Sequence, residues 1–240
     1  MKNPRAQAGS AIASRQGGSE SSLLASCSVF EGFILQTANH KAHNKKLIHD
    51  LDKYMNPQPD LLESWLAQER SARQRLDAGA GPGVATPEQT AGKTGLEVMQ
   101  GLLSGELPYA SIAQTMDFML IEVSLGEAIF QGTPGNQHLN PLGTVHGGWF
   151  ATLLDSALGC AVHTMMPPGR GYTTADLSVK LVRAITPKVQ RVRAIGKVLH
   201  CGRQLATAEA QLVGPDGKLY AHANSACLVF DMPSFKTSGN

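Results

Sequence analysis

Between Trp149 and Ala161 the chain is apolar almost all the way round a helix. Phe150, Ala151, Leu153, Leu154, Ala157, Leu158 and Ala161 cover most of its circumference. A helix of that kind is expected to be buried on nearly every side. The pattern then changes period. Ala175, Leu177, Val179 and Leu181 alternate with Asp176, Ser178 and Lys180, and Val192, Ala194, Gly196 and Val198 alternate with Arg191, Arg193 and Lys197. That is the period of half-buried strands. Ala206, Ala208, Ala210 and Leu212 read as a third strand, and Pro215-Asp216-Gly217 as a hairpin turn into a last strand over residues 219–230. Ahead of the helix, residues 118–123 and 127–132 read as two strands joined at Gly126.

The order is therefore strand, strand, buried helix, strands. Short turns between neighbouring strands make an antiparallel sheet. A sheet with one apolar face needs a cover, which the one long apolar helix supplies. The expectation is an α+β fold, a curved antiparallel sheet wrapped around a central helix. Upstream, Leu61, Leu62, Trp65, Leu66 and Leu76 have helical spacing over residues 57–76. A linker rich in Gly, Ala, Pro and Thr follows over 77–93. Leu96, Met99, Leu102 and Leu103 mark a short amphipathic helix that must end before Pro108. Both helices are expected to pack on the domain surface or on a partner subunit. The organisation read this way is an extension expected to be disordered over 1–54, a helical segment and linker over 55–110, the sheet domain over 111–231 and a flexible tail over 232–240.

The opening is small, polar and rich in breakers, as at Gly9-Ser10 and Gly17-Gly18-Ser19. Arg5 and Arg15 precede the first acid, Glu20, a composition shared with organelle transit peptides; Met55 offers an alternative start. His40, His43 and His49 read as a solvated basic tract, because no Cys or carboxylate cluster completes a metal site. The four cysteines, Cys27, Cys160, Cys201 and Cys227, have no metal-binding spacing. They read as free thiols of a reducing cytoplasm. Cys160 reads as a small buried hydrophobe. No apolar run is long enough to span a bilayer. A net charge of +2 and an aromatic share of 5% argue against a nucleic-acid surface.

The chemistry centres on residues 140–155, Asn-Pro-Leu-Gly-Thr-Val-His-Gly-Gly-Trp-Phe-Ala-Thr-Leu-Leu-Asp. Asn140-Pro141 and Gly143 read as a turn. Gly147 and Gly148 leave backbone N–H groups uncovered at the positive end of the helix dipole, where an oxygen gaining negative charge is held well. Asp155 is a lone carboxylate on an apolar helix, which requires either firm partners or a task. The pattern Asn-Pro-x-Gly-x-x-His-Gly-Gly followed by an acidic residue on the next helix resembles the hotdog-fold acyl-CoA thioesterases of the phenylacetate-pathway, PaaI-like type. Asn140, Gly143, His146, Gly147, Gly148 and Asp155 match it, and the resemblance extends over roughly residues 111–230.

The resemblance implies hydrolysis of an acyl-CoA thioester, with no cofactor and no metal. Gly147 N–H would polarise the thioester carbonyl, and Asp155 would act as general base on water or as nucleophile. Asn140 can orient water or thioester by its amide. His146 fits the shaping of the turn better than proton transfer. Thr174 stands where the family often has a Ser or Thr near the water. Gly147 and Asp155 are eight residues apart, about 12 Å on one helix. One chain cannot easily bring both to one carbonyl, so sites shared across a homodimer, or in a homotetramer, are expected. The resemblance implies the same arrangement. The span from Leu177 to Ala208 has no acidic residue but contains Lys180, Arg183, Lys188, Arg191, Arg193, Lys197 and Arg203. Such a surface could hold the nucleotide phosphates of coenzyme A, with Arg183 and Arg203 the chosen contacts. The competing readings are a hotdog hydratase or dehydratase and a non-catalytic acyl-CoA-binding protein. The acyl group is not legible in the sequence.

Overall fold

The computed structural model describes residues 59–232. The expectations for residues 1–54 and for the tail beyond 232 lie outside the described residues. The elements are helices α1 (Pro59–Ala78), α2 (Pro87–Thr90), α3 (Gly95–Ser104) and α4 (Ser111–Thr115), strands β1 (Phe118–Ser124) and β2 (Glu127–Gly132), a 3-10 turn at Asn136–His138, helix α5 (Gly147–Thr164), and strands β3 (Arg170–Leu181), β4 (Val192–Cys201), β5 (Leu205–Val213) and β6 (Leu219–Asp231). The six strands form one sheet in the order β1-β2-β4-β5-β6-β3. Every neighbouring pair is antiparallel. Helix α5 touches all six strands. This is the expected hotdog architecture, a sheet curved around a central helix.

The reason lies in side-chain size. Leu153, Leu154, Ala157, Leu158, Ala161 and Val162 of α5 are completely buried, against Ala128, Ala194, Ala206, Ala208 and Ala221 of the strands. Alanines let the helix axis come close. At Gly196 no side chain fits at all, since a Cβ there would lie 2.3 Å from the Ala157 carbonyl oxygen. The helix is not buried all round, however. Ala151, Thr152, Asp155, Ser156 and Cys160 form a half-buried stripe, and that stripe carries the carboxylate.

Helix α5 starts at Gly147, two residues before the apolar run. His146, in extended conformation, caps it, its Nδ1 accepting from Gly148 N–H at 2.9 Å. The linker over 77–93 contains α2, which the sequence reading left out. Thr86 and Gln89 close a capping box around it, a local device that outweighs the breaker-rich composition.

Strand β3 is longer than its alternation predicted. It begins at Arg170 and carries a bulge, with Thr174 opposite Cys227 and Asp176 opposite Ala226. Ala175 is the extra residue and is exposed, so it does not face inward with Leu177 and Val179. A bulge re-aims the side chains on either side of it. Here Thr174 and Leu177 both face the helix side.

Helix α1 lies on the far side of the sheet. Phe118 and Leu120 of β1 join the core around α5. Met119 and Ile121 pack instead with Ala72 and Leu76 of α1. Beside this small cluster sits a buried polar network. Glu69 accepts hydrogen bonds from Gln131 Nε2 at 2.8 Å and Arg73 Nε at 3.0 Å, and is paired with Arg191. Gln131 accepts in turn from Arg193 Nε at 2.9 Å, and the Arg193 guanidinium lies 4.4 Å above the Trp65 ring. Arg191 and Arg193 were expected on a solvent-facing basic surface. They are instead taken up by α1, Arg193 being only 6% exposed, because α1 lays a carboxylate and an aromatic face across their strand. Lys197 is paired with Glu127 at 2.8 Å. Of the basic span, Lys180, Arg183, Lys188, Lys197 and Arg203 stay exposed.

Candidate active site

The loop before α5 is built around Asn140. Its Oδ1 accepts from Leu142 N–H at 2.9 Å and Thr144 N–H at 3.3 Å, and its Nδ2 donates to Thr144 Oγ1 at 2.9 Å. Gly143, at φ +78°, completes the turn and donates to the Asn140 carbonyl at 3.0 Å. A left-handed conformation of this kind suits glycine. The His146 N–H donates to the His138 carbonyl at 2.8 Å, which ties the loop to the 3-10 turn. Asn140 and His146 thus spend their side chains on the geometry of the helix start. The Gly147 N–H, the first of α5, meets no backbone acceptor among the described residues.

Two turns further along α5, Asp155 is half-buried, and Thr174 Oγ1 donates to its Oδ1 at 3.0 Å. The β3 bulge makes this contact, because Thr174 is the last inward residue before it. Both residues line a cavity of about 260 Å³. Ser156, Cys160 and Tyr172 add polar atoms to the same wall, and Leu76, Met99, Leu102, Phe118 and Phe130 supply apolar ones. Burial pushes the Cys160 thiol up to about 12, with the Asp155 charge adding to the effect. The Tyr172 hydroxyl is raised well above its ordinary value, first by burial and then by the neighbouring Cys160, Cys227 and Asp155. Burial likewise raises Cys227, against the bonds it receives from Ser225 and Thr174. At neutral pH these groups are protonated. A protonated thiol is a poor nucleophile, so Cys160, the cysteine on the cavity wall, is not activated for attack.

The structure brings Asp155 and Thr174 together. Asn140, His146, Gly147 and Gly148 do not line their cavity; they lie in the loop before α5 and at its start, about two turns from Asp155. Arg183 lies just beyond the end of β3, on the side where Leu181 covers Gly147. Arg203 sits in the β4–β5 turn, where Arg170 at the start of β3 bonds its carbonyl. The two arginines flank opposite ends of a strand of 12 residues, roughly 40 Å long at about 3.3 Å per residue. Sequence reasoning passed over Tyr172 and Ser156. Tyr172 could have been found two residues before Thr174, on the same face of the strand, had the strand been started early enough. Among the described residues no group of three His, Cys, Asp or Glu could hold a metal ion.

Residues 142–221 match the family model described as the thioesterase superfamily. The core has the hotdog fold of these thioesterases. Among solved structures, the chain is similar to a phenylacetic acid degradation-related protein from Ralstonia eutropha, with 25% identity, 54% of this chain and 97% of that one covered, and a TM-score of 0.50. The PaaI protein of the E. coli phenylacetic acid degradation operon is 20% identical, with 51% and 86% covered and a TM-score of 0.47. The phenylacetic acid degradation protein PaaI from Thermus thermophilus, in a mutant form, is 25% identical, with 49% and 97% covered and a TM-score of 0.45. No curated protein matches the chain. The family match and the fold together support a thioesterase. Among the described residues no helix is long and apolar enough to cross a membrane.

Proposed function

We propose that the protein hydrolyses an acyl-CoA thioester to the free acid and coenzyme A. The observation that carries this reading is the Asp155 carboxylate, fixed by the Thr174 hydroxyl at 3.0 Å and opening on a largely apolar cavity of about 260 Å³. The acyl group occupies the cavity, and Asp155 activates water or attacks the thioester carbon itself. The Thr174 hydroxyl holds the carboxylate in its orientation. A Gly147 N–H polarises the carbonyl, with Asn140, His146 and Gly148 holding the turn that presents it. Arg183, on the side of Gly147, is the arginine placed for the phosphates of the nucleotide; Arg203, at the opposite end of β3, would reach the same nucleotide only from a second chain. The product thiol leaves with the proton taken from water. In the hydratase reading an imidazole works beside a carboxylate. Among the described residues none lines this cavity, which favours hydrolysis. The direct test is free-thiol release from a panel of aromatic, medium-chain and long-chain acyl-CoAs, set beside hydration of an enoyl-CoA. Hydration without thiol release would replace this reading.

Gly147 and Asp155 of one chain stand about 12 Å apart along α5 at 1.5 Å per residue. We therefore place each site at a two-fold interface, with Gly147 and Asp155 contributed by different chains of a homodimer or of a pair of dimers. Complementation tests this. Asp155→Asn and Asn140→Ala are each expected to be weak. Mixed under subunit exchange, they should recover activity, up to about half per mixed dimer on this geometry, because one site in each mixed dimer carries neither lesion. Exchange shown by mass-tagged chains with no recovered turnover would mean that each chain carries a whole site.

A further inference from the structure

Part of the wall of the cavity comes from outside the matched core. Leu76 belongs to α1, Met99 and Leu102 to α3, and Ile112 to α4. All precede residue 142, where the family match begins. From these placements we infer that the N-terminal helices of the same chain set the length of acyl group the site accepts, with Met99 as the principal stop and Leu102 and Leu76 beside it. This rests on the acyl-thioester reading above and adds to it a substrate class: a medium-length apolar acyl group.

The helices are fixed against the core, so they can act as a stop. The N–H of Gly95, at the start of α3, donates to the Met166 carbonyl just past the end of α5 at 2.8 Å. The approach there is so close that a Cβ on Gly95 would lie 1.7 Å from the His163 carbonyl oxygen. At the other end of α3, the Gly105 carbonyl accepts from Ala80 N–H at 3.0 Å, and Arg75 Nε donates to the Leu103 carbonyl at 3.2 Å. Thus α3 is pinned at one end to the helix that carries Asp155 and at the other to α1. Met99, midway between, is 1% exposed. Its side chain therefore presents a defined surface to the cavity.

The size follows from the volume. A cavity of about 260 Å³ lies just below the usual range for small-molecule pockets, about 300–1,000 Å³, and so suits a medium-length acyl group better than a long one. Each methylene buried gains roughly fourfold in binding. Preference should climb with chain length to about eight carbons and then fall, because overfilling a packed space is costly. Met99→Ala removes three heavy atoms from the stop.

The test uses the full-length protein and two readouts. The first is kcat/KM over butyryl-, octanoyl-, dodecanoyl- and hexadecanoyl-CoA. The second is thermal stabilisation by a series of linear methyl ketones, which carry a carbonyl and a chain but cannot be hydrolysed. The wild type should peak near the eight-carbon acyl group and bind ketones up to a similar length. Met99→Ala should raise the dodecanoyl-to-octanoyl ratio of kcat/KM at least tenfold, mainly through KM, and extend the ketone series by about three carbons. Leu102→Ala, at a half-buried position, is the second variant should the Met99 site collapse. Leu107→Ala is the packing control, being 3% exposed but not part of the cavity wall; it should leave both length profiles in place. If the wild type turns over no acyl-CoA while the ketone cutoff still moves with Met99 or Leu102, the proposed reaction fails and the length stop stands. A wild type without a cutoff in either series, a cutoff unmoved by both cavity variants, or one moved as far by Leu107→Ala would overturn the inference.

Discussion

Asp155→Asn should abolish most thioesterase turnover while leaving the fold intact. The substituted amide keeps an oxygen where Thr174 Oγ1 now donates at 3.0 Å to Oδ1, so the contact between α5 and β3 survives. What is lost is the negative charge that takes a proton from water or attacks the thioester. Loss of a positioned general base costs about a hundredfold or more. Because Asp155 is on the half-buried stripe of α5 and not in its packed face, thermal stability should stay near that of the wild type. Steady-state kinetics on the best acyl-CoA, with a melting curve alongside, decides it. Near-normal kcat in a well-folded variant removes Asp155 from the mechanism. A covalent acyl-enzyme trapped in the wild type and absent from the variant would assign the nucleophilic route over the general-base one.

Glu69→Ala should be the most destabilising single change on the outer face of the sheet. Glu69 is 5% exposed and is bonded by Arg73, Arg191 and Gln131. Removing one partner of a buried charged cluster leaves the others uncompensated, at a cost of about 3 kcal/mol, the low end of the range for buried pairs. The low end applies because Arg73 is about half exposed and can turn to water. For a domain of this size that corresponds to a fall in Tm of roughly 6–12 °C. The pH dependence has a definite sign. Burial by itself would raise the Glu69 carboxyl, but the bonds from Arg191 and Gln131, the Arg191 charge and the bond from Arg73 outweigh it and hold the group below the ordinary carboxylate range. A lowered native pKa means that the stabilisation is fully present above the unfolded pKa. It is lost as pH falls through the native one. Urea unfolding of wild type and variant should therefore differ by a constant amount from neutral pH down to the ordinary carboxylate range, with the difference shrinking below it. A difference that grows on acidification would contradict the paired carboxylate.

The sequence by itself determined the parts that depend on local periodicity and turn chemistry. The all-round apolar run gave α5, the alternating runs gave β4, β5 and β6, and Pro215-Asp216-Gly217 gave the last hairpin, where Gly217 has φ +73°. The Asn140–Gly148 loop was legible because Asn, Gly and a capping His each have a backbone preference that acts within a few residues. Asp155 stood out because a carboxylate on an apolar helix is costly wherever that helix packs.

Tertiary structure decided the rest. Alternation reports that Arg191 and Arg193 face away from the core around α5, but not that another element covers that face. Their partners, Glu69 and Gln68, lie 122 and 125 residues away, and only the docking of α1 buries Arg193 and partly covers Arg191. The bulge at Ala175 is a mismatch between β3 and β6, invisible in β3 alone, and it decides that Thr174 meets Asp155. The cavity is likewise a relation between elements. Leu76, Met99 and Leu102 read as ordinary positions on amphipathic helices, and a helical period reports which face is apolar without reporting whether the surface opposite fills the space. Here α5 leaves that space open, because Asp155 and Ser156 of its half-buried stripe and the buried Gly159 beside them present a charge, a hydroxyl and no side chain where bulky apolar residues would have closed it.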